Sequence, residues 1–269
     1  MSRKNKENRG KNKDWLLLVA GLGFLVLFLV AGGLLLRYYI GYRKQQEADR
    51  EMANIRLELS GSNYDDLNGN GWTPMGPEEA ARSAEEFRKL NSDYVLFLTI
   101  PNTEIYYPVV QRDNSYYLHH NFAKESNSHG AIFLDENCKP ENDILLIHGH
   151  HMRDGTMFAR LKQFLDKDFR EATPYIYLDF GEGDMPYEVF AVALVDLTGE
   201  SYFVYEDIPN TESEREEYLK GFKRTSVWFS GTIEEELLAG TNQVVFLSTC
   251  EYGTDDQRLI VAAAAVTSK

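Results

Sequence analysis

The sequence predicts a mainly β domain with added helices, an eight-stranded closed or half-closed barrel, behind a single N-terminal membrane-spanning helix. Three observations carry that expectation. Eight short runs rich in β-branched and aromatic residues follow one another from Tyr94 to Val266, separated by turn-forming residues. Two helical patterns interrupt them, about Met157 to Leu165 and Glu212 to Phe222, the second an insertion between the sixth and seventh runs. Ahead of all this, Trp15 to Leu36 contains no charged residue. A chain of 269 residues has room for one ordinary domain plus such appendages.

Taken in order, residues 1–14 form a basic tail: Arg3, Lys4, Lys6, Arg9, Lys11 and Lys13 stand against Glu7 and Asp14. As a helix, residues 15–36 would span about 33 Å, enough for a bilayer's hydrocarbon core. A cleaved signal peptide would carry an apolar stretch of only about 7–15 residues. Ala31, Gly32 and Gly33 leave cleavage open, but the length favours an uncleaved anchor. The basic tail then stays in the cytoplasm and everything after Arg37 lies outside.

Residues 37–77 are expected to be a stalk and linker, helical and charged to about residue 60, then rich in glycine and proline. Within it, Asp66-x-Asn68-x-Asn70-Gly71 imitates the start of a calcium loop. Its twelfth position is Pro77 rather than glutamate, so it reads as turn chemistry. The remainder, 78–269, forms the exported domain. Pro77-Glu78-Glu79 suits a helix start, and no breaker occurs from Ala80 to Leu90. The extended runs are Tyr94–Ile100, Ile105–Val110, Ala131–Leu134, Ile144–His148, Tyr175–Phe180, Tyr187–Val195, Val244–Thr249 and Leu259–Val266.

The net charge of −14 conceals an asymmetry, because the tail carries +4 and the rest −18. So acidic an exported domain is poorly suited to nucleic acid or anionic lipid. Two cysteines outside the cell raise the question of a Cys138–Cys250 disulfide. One bridge adds little to a domain with a full core, and the surroundings of Cys250 call for a free thiol.

Those surroundings are the strongest chemical signal. Val244-Val245-Phe246-Leu247-Ser248-Thr249-Cys250 ends one apolar run in a thiol, and Arg258 opens the next. Two adjacent strands joined by Glu251–Gln257 would set a nucleophile beside a fixed cation. A buried core cysteine beside a surface arginine is the plainer reading. The second signal is Ile144-Leu145-Leu146-Ile147-His148-Gly149-His150-His151-Met152, an apolar strand leading into a glycine and then an imidazole. All six histidines lie between 119 and 151. His148 and His150 could share a strand face and hold zinc, but nothing at ligand spacing supplies a third ligand. An imidazole paired with Cys250 is the stronger use, and neither metal nor cofactor is expected.

Leu247-Ser248-Thr249-Cys250 with Arg258, preceded by Gly149-His150, resembles the sortases, membrane-anchored cysteine transpeptidases of Gram-positive bacteria. The likeness extends over Ile100-Pro101-Asn102-Thr103-Glu104-Ile105-Tyr106-Tyr107-Pro108-Val109-Val110-Gln111. Class B in particular is indicated by Asp113-Asn114-Ser115-Tyr116-Tyr117-Leu118-His119-His120-Asn121-Phe122 and by Gly130-Ala131-Ile132-Phe133-Leu134-Asp135. Gly149-His150-His151-Met152 and the helical insertion fit that class too, and the resemblance covers roughly 90–266. Two departures stand out: Phe97 occupies a position where the family often has tryptophan, and Cys138 is no part of the family's chemistry.

The resemblance implies a sortase-type barrel with an N-terminal helix, and a two-step acyl transfer. Cys250 would attack the carbonyl of the threonine in a C-terminal sorting motif (LPXTG- or NPXTN-like) on a secreted protein. His150, rather than His151, would serve as acid and base, and Arg258 would hold the substrate backbone or the oxyanion. Asn114 and Leu118 would line the groove for the sorting peptide, with Ser248 and Glu251 flanking the thiol as further substrate contacts, and Tyr202 and Tyr205 as weaker candidates for the far wall. The acceptor would be a peptidoglycan amine, on lipid II or a cross-bridge. Three other readings stay open: a sortase that joins pilins through a lysine, a thiol peptidase that uses water, and a non-catalytic anchored barrel that binds metal.

Overall fold

The computed structural model describes residues 2–61, 66, 72–197, 207–209, 211–230, 242–250 and 257–266, except the side chains of 2–14, 16, 212 and 250. They fall into two compact units, 1–48 and 49–269.

The first unit is helical, lying within α1 (Ser2–Ser60). Leu22, Phe24, Leu27, Phe28 and Leu35 are all exposed on it. Apolar side chains on every face of a helix suit lipid rather than water. Among the described residues this is the one helix long and apolar enough to cross a membrane.

The second unit is a barrel. Its strands are β1 (Tyr94–Thr99), β2 (Tyr106–Gln111), β3 (Ile132–Leu134), β4 (Ile144–His148), β5 (Tyr175–Asp179), β6 (Met185–Asp196), β7 (Ser226–Phe229), β8 (Val244–Cys250) and β9 (Gln257–Ala265). They lie side by side in the order β5-β1-β2-β3-β4-β8-β9-β6, and β6 pairs back onto β5, which closes an eight-stranded barrel. The later residues of β6 also carry β7 as an added ninth strand. Most pairs are antiparallel, but β2 with β3 and β4 with β8 are parallel.

The β4–β8 pair explains two of the most continuous apolar runs in the sequence. Strands buried on both faces lose the alternation of a half-exposed sheet. Ile144–Ile147 and Val244–Thr249 are buried throughout. Phe158, Leu161 and Phe164 of a 3-10 helix (Phe158–Leu165) join their core, as do Tyr218, Leu219 and Phe222 of α4 (Glu212–Thr225). Phe222 meets Phe246 edge-on at 4.8 Å. Each ring withdrawn from water here contributes on the order of 1.5–3 kcal/mol.

The other side of β1 is covered by helices. Leu96 and Leu98 join the main core, while Phe97, pointing the opposite way, packs with Phe87 of α2 (Pro77–Leu90). In α2, Ala80, Ser83, Ala84 and Phe87 are buried at helical spacing. Pro77 and two glutamates open that helix, and Arg88 and Lys89 end it, in keeping with its dipole.

From Asp49 onward α1 belongs to the barrel unit rather than to a free stalk. Ala53 and Leu57 are buried with Phe87 and Phe97. Arg56 is buried too, bonded to Asp179 at 2.5 Å and Asp184 at 2.6 Å, with its guanidinium 4.6 Å from the Phe97 ring centre. Burial works against the Arg56 charge, but the two aspartates outweigh it and raise the arginine's pKa. Asp179 also accepts the backbone N–H groups of Gly181, Glu182 and Gly183 and so fixes the β5–β6 turn. Phe97, at a position where the family often has tryptophan, thus lies beneath an arginine.

All eight expected strands and the three helical segments are present. β7 and α3 (Lys167–Ala172) were not expected. Each is short: β7 exists through pairing with β6, and α3 is capped by Asp166, whose side chain accepts the Phe169 N–H. The calcium-like stretch falls largely outside the described residues.

Candidate active site

Strand register brings the three expected catalytic positions to one end of the barrel. In the parallel pair, His148 lies opposite Ser248, and the Gly149 N–H donates to the Ser248 carbonyl at 3.1 Å. Two residues beyond that pair come His150 on one side and Cys250 on the other. Across the antiparallel partner, Cys250 stands opposite Arg258. Arg258 is flanked in turn by Val195 on β6. Neighbouring segments of the sheet thus place positions 150, 250 and 258 side by side in that order, from residues up to 108 apart in sequence. The side chain of Cys250 lies outside the described residues.

His150 sits in a shaped slot. Its Nε2 lies 2.8 Å from the Leu118 carbonyl oxygen. A carbonyl can only accept, so Nε2 carries the hydrogen and Nδ1 is the ring atom left for chemistry. The wall opposite is Gly130, with φ +62; a Cβ there would lie 3.2 Å from the His150 Cδ2 and 2.3 Å from the Tyr117 carbonyl oxygen. Glycine is required on both counts, by its backbone conformation and by the close approach. The Phe158 N–H donates to the His150 carbonyl at 2.9 Å and anchors the backbone of the same residue.

Of the expected groove residues, Leu118 is half-buried and contributes the carbonyl just described. Asn114 is tied into the turn after β3: its Nδ2 donates to Asp135 Oδ2 at 2.8 Å and its Oδ1 accepts the Glu136 N–H. Ser248 is buried within β8, 2% exposed, so it supports the strand end more than it offers surface. Glu251, Tyr202 and Tyr205 lie outside the described residues. Arg258 is half-buried, with Nη1 donating to the Gln257 carbonyl at 3.3 Å.

Asp135 was not singled out from sequence, although it organises the neighbouring strand ends. Its Oδ2 accepts from both His148 Nε2 (3.0 Å) and Asn114, and its Oδ1 accepts the Asn137 N–H. Burial drives its carboxyl up, yet these donors, His148 first, hold it below the usual aspartate range. Both histidines once weighed as zinc ligands are thereby engaged, His148 with Asp135 and His150 with Leu118. Among the described residues no group of three His, Cys, Asp or Glu side chains is placed to hold a metal.

Cys138 is a different kind of thiol. It is buried, its sulfur accepts the Leu146 N–H at 3.3 Å, and burial pushes its pKa up to about 12. Leu146 is level with Phe246, four residues or about 13 Å along β8 from Cys250. That separation rules out a disulfide, which needs α-carbons within about 7 Å.

Comparison with known proteins converges on one family. The sortase domain model matches residues 98–266. Sortase B of Listeria monocytogenes is 37% identical over 196 residues, covering 70% of this chain and 76% of that protein. Sortase B of Staphylococcus aureus is 26% identical over 247 residues, covering 90% and 93%. The crystal structure of a mutant Clostridium perfringens sortase B superimposes with a TM-score of 0.67 at 27% identity, covering 81% of this chain and 98% of that one.

Proposed function

The chain belongs to the sortase family, as a class B cysteine transpeptidase, and from that membership we propose that Cys250, His150 and Arg258 are its catalytic set. The observation that carries this reading is the register of β4, β8 and β9, which brings these three residue types to one barrel end.

Family members act on proteins bearing a sorting motif and on a cell-wall amine. In this chain the Cys250 thiol gives its proton to His150 Nδ1, and the sulfur attacks the threonine carbonyl carbon of an LPXTG- or NPXTN-like motif. The carbonyl π pair moves onto oxygen, where Arg258 offsets the charge. Collapse breaks the peptide bond, and the departing amine takes a proton from His150 Nδ1, leaving a thioester. The acceptor amine then attacks the thioester, gives its proton back to Nδ1 and releases the thiolate. Nε2–H stays bonded to Leu118 throughout, so the ring exchanges protons without changing its orientation.

The acceptor is a peptidoglycan amine, on lipid II or a cross-bridge. Residues 15–36 anchor the enzyme as a single span, with 1–14 in the cytoplasm and the catalytic unit outside. The positive charge of the tail and the length of the apolar run support that arrangement.

The test is product analysis with the full chain in detergent, using a panel of sorting peptides with and without triglycine. Cleavage after threonine, with ligation that depends on the amine, is expected. Hydrolysis at the same yield with and without the amine would assign a thiol peptidase instead.

A further inference from the structure

The loop that carries His150 is fastened to the loop that supplies its acceptor carbonyl by a pair of side chains with no assigned role. His129 Nε2–H donates to Asp154 Oδ2 at 3.0 Å. The contact is shielded, the side chains being 5% and 12% exposed. His129 immediately precedes Gly130, whose α-carbon forms the wall against the His150 ring. Asp154 lies four residues beyond His150, at the tip of a closed loop. The base of that loop is held by Phe158 N–H to the His150 carbonyl and by a bridge between His151 and Met157.

Both partners are themselves fixed. Asp154 Oδ1 accepts the Thr156 N–H at 3.0 Å and the Thr156 hydroxyl at 2.6 Å. The His129 N–H donates to Asn127 Oδ1 at 2.7 Å, and the Asn127 N–H donates to the His119 carbonyl at 2.8 Å, one residue beyond Leu118. Met157 closes the same loop at φ 55 and ψ −129, a conformation that costs a side-chain-bearing residue energy and persists only where its surroundings impose it. Its N–H is received by the Tyr107 hydroxyl at 3.2 Å. A strained loop bearing a reactive imidazole needs an external hold, and the histidine–aspartate pair supplies one between its tip and the 117–131 loop.

We propose that His129 and Asp154 are positioning residues: their hydrogen bond clasps the 149–158 loop to the 117–131 loop and keeps His150 Nδ1 aimed at the reacting atoms. Neither touches substrate. The inference rests on the acid–base reading of His150, and it predicts a defect in turnover rather than in binding. A displacement near 1 Å costs about a hundredfold in rate.

The experiment measures kcat and KM separately for amine-dependent transfer by the full chain in detergent. Four variants are compared: Asp154→Asn, His129→Ala, His129→Gln and His150→Ala. Asp154→Asn keeps the shape and the Thr156 contacts but turns an acceptor toward His129 into a donor. It is expected to lose about 10–100-fold in kcat, with KM within about twofold. His129→Ala should match it, and His129→Gln, which places an amide N–H near the original Nε2, should return to within about threefold of wild type. Wild-type kcat in Asp154→Asn, or no recovery in His129→Gln, would overturn the clasp. Full transfer by His150→Ala would instead overturn the reading on which it rests.

Discussion

Replacing Gly130 by alanine separates the cost of backbone strain from the cost of moving the catalytic ring. At φ +62 an alanine pays roughly 1–2 kcal/mol for the left-handed conformation alone. Its methyl would also stand 2.3 Å from the Tyr117 carbonyl oxygen, about 1 Å inside the ~3.3 Å at which carbon and oxygen touch. That carbonyl cannot simply retreat, because it accepts the Ala131 N–H at 2.9 Å, a bond worth about 1 kcal/mol. The expected loss of stability is therefore about 2–4 kcal/mol. The same methyl meets the Leu118 carbonyl at 3.1 Å and the His150 ring at 3.2 Å, so relief of the clash displaces the pair that orients the imidazole. A shift near 1 Å should lower kcat/KM about a hundredfold. Gly61→Ala is the matched control, since Gly61 has φ +68 with no atom of the described residues beyond its chain neighbours within 4 Å of the added methyl. The assay is peptide transfer below the unfolding temperature, with thermal unfolding followed in parallel. Gly130→Ala activity within about threefold of Gly61→Ala would refute the slot as the device that orients His150.

Other expectations follow from the buried charges and thiols. Arg56→Ala leaves Asp179 and Asp184 buried without their cation, and should destabilise the 49–269 unit by about 3–5 kcal/mol. At roughly 2–4 °C per kcal/mol, that is a drop of about 6–20 °C in Tm, and a drop under about 2 °C would contradict it. In native protein a thiol reagent near pH 8 should modify Cys250 and spare Cys138, whose burial pushes its pKa to about 12. A Cys250→Ala variant that still takes label at the native rate would refute the distinction. The carboxyls of Asp135 and Asp154 are pushed up by burial but brought down further by their donors, and both end below their ordinary value. A group depressed in the folded state adds stability that is present above its unfolded pKa, about 3.9, and is lost as pH falls through the folded value. Tm should accordingly hold down to about pH 4 and fall below it, and Asp135→Asn should flatten that fall.

The barrel was legible because its strands announce themselves by composition and by turns. β4 and β8 were legible for a further reason: burial on both faces leaves unbroken apolar runs. The candidate positions stood out because Cys250 ends one such run, His150 stands one glycine beyond another, and Arg258 opens a third. What stayed hidden depends on contacts remote in sequence. Arg56 sits in a charged stretch that reads as solvated, and its pairing with Asp179 and Asp184, together with the burial of Ala53 and Leu57, draws the end of α1 into the domain. Asp135 and Asp154 look like ordinary turn aspartates, and their histidine partners lie 13 and 25 residues away. Ser248, placed beside the thiol by resemblance, is buried in β8 between His148 and Ile260, an exposure that only the strand register sets.

The most direct test of the central claim is the mass of the enzyme caught between its two steps. The full chain is mixed with a cleavable sorting peptide without amine, quenched in acid and measured intact, then digested to locate the adduct. The account predicts a covalent adduct equal to the peptide up to threonine, carried on Cys250, discharged by triglycine and absent in Cys250→Ala. Turnover with no adduct on Cys250, or an adduct that persists in Cys250→Ala, would contradict it.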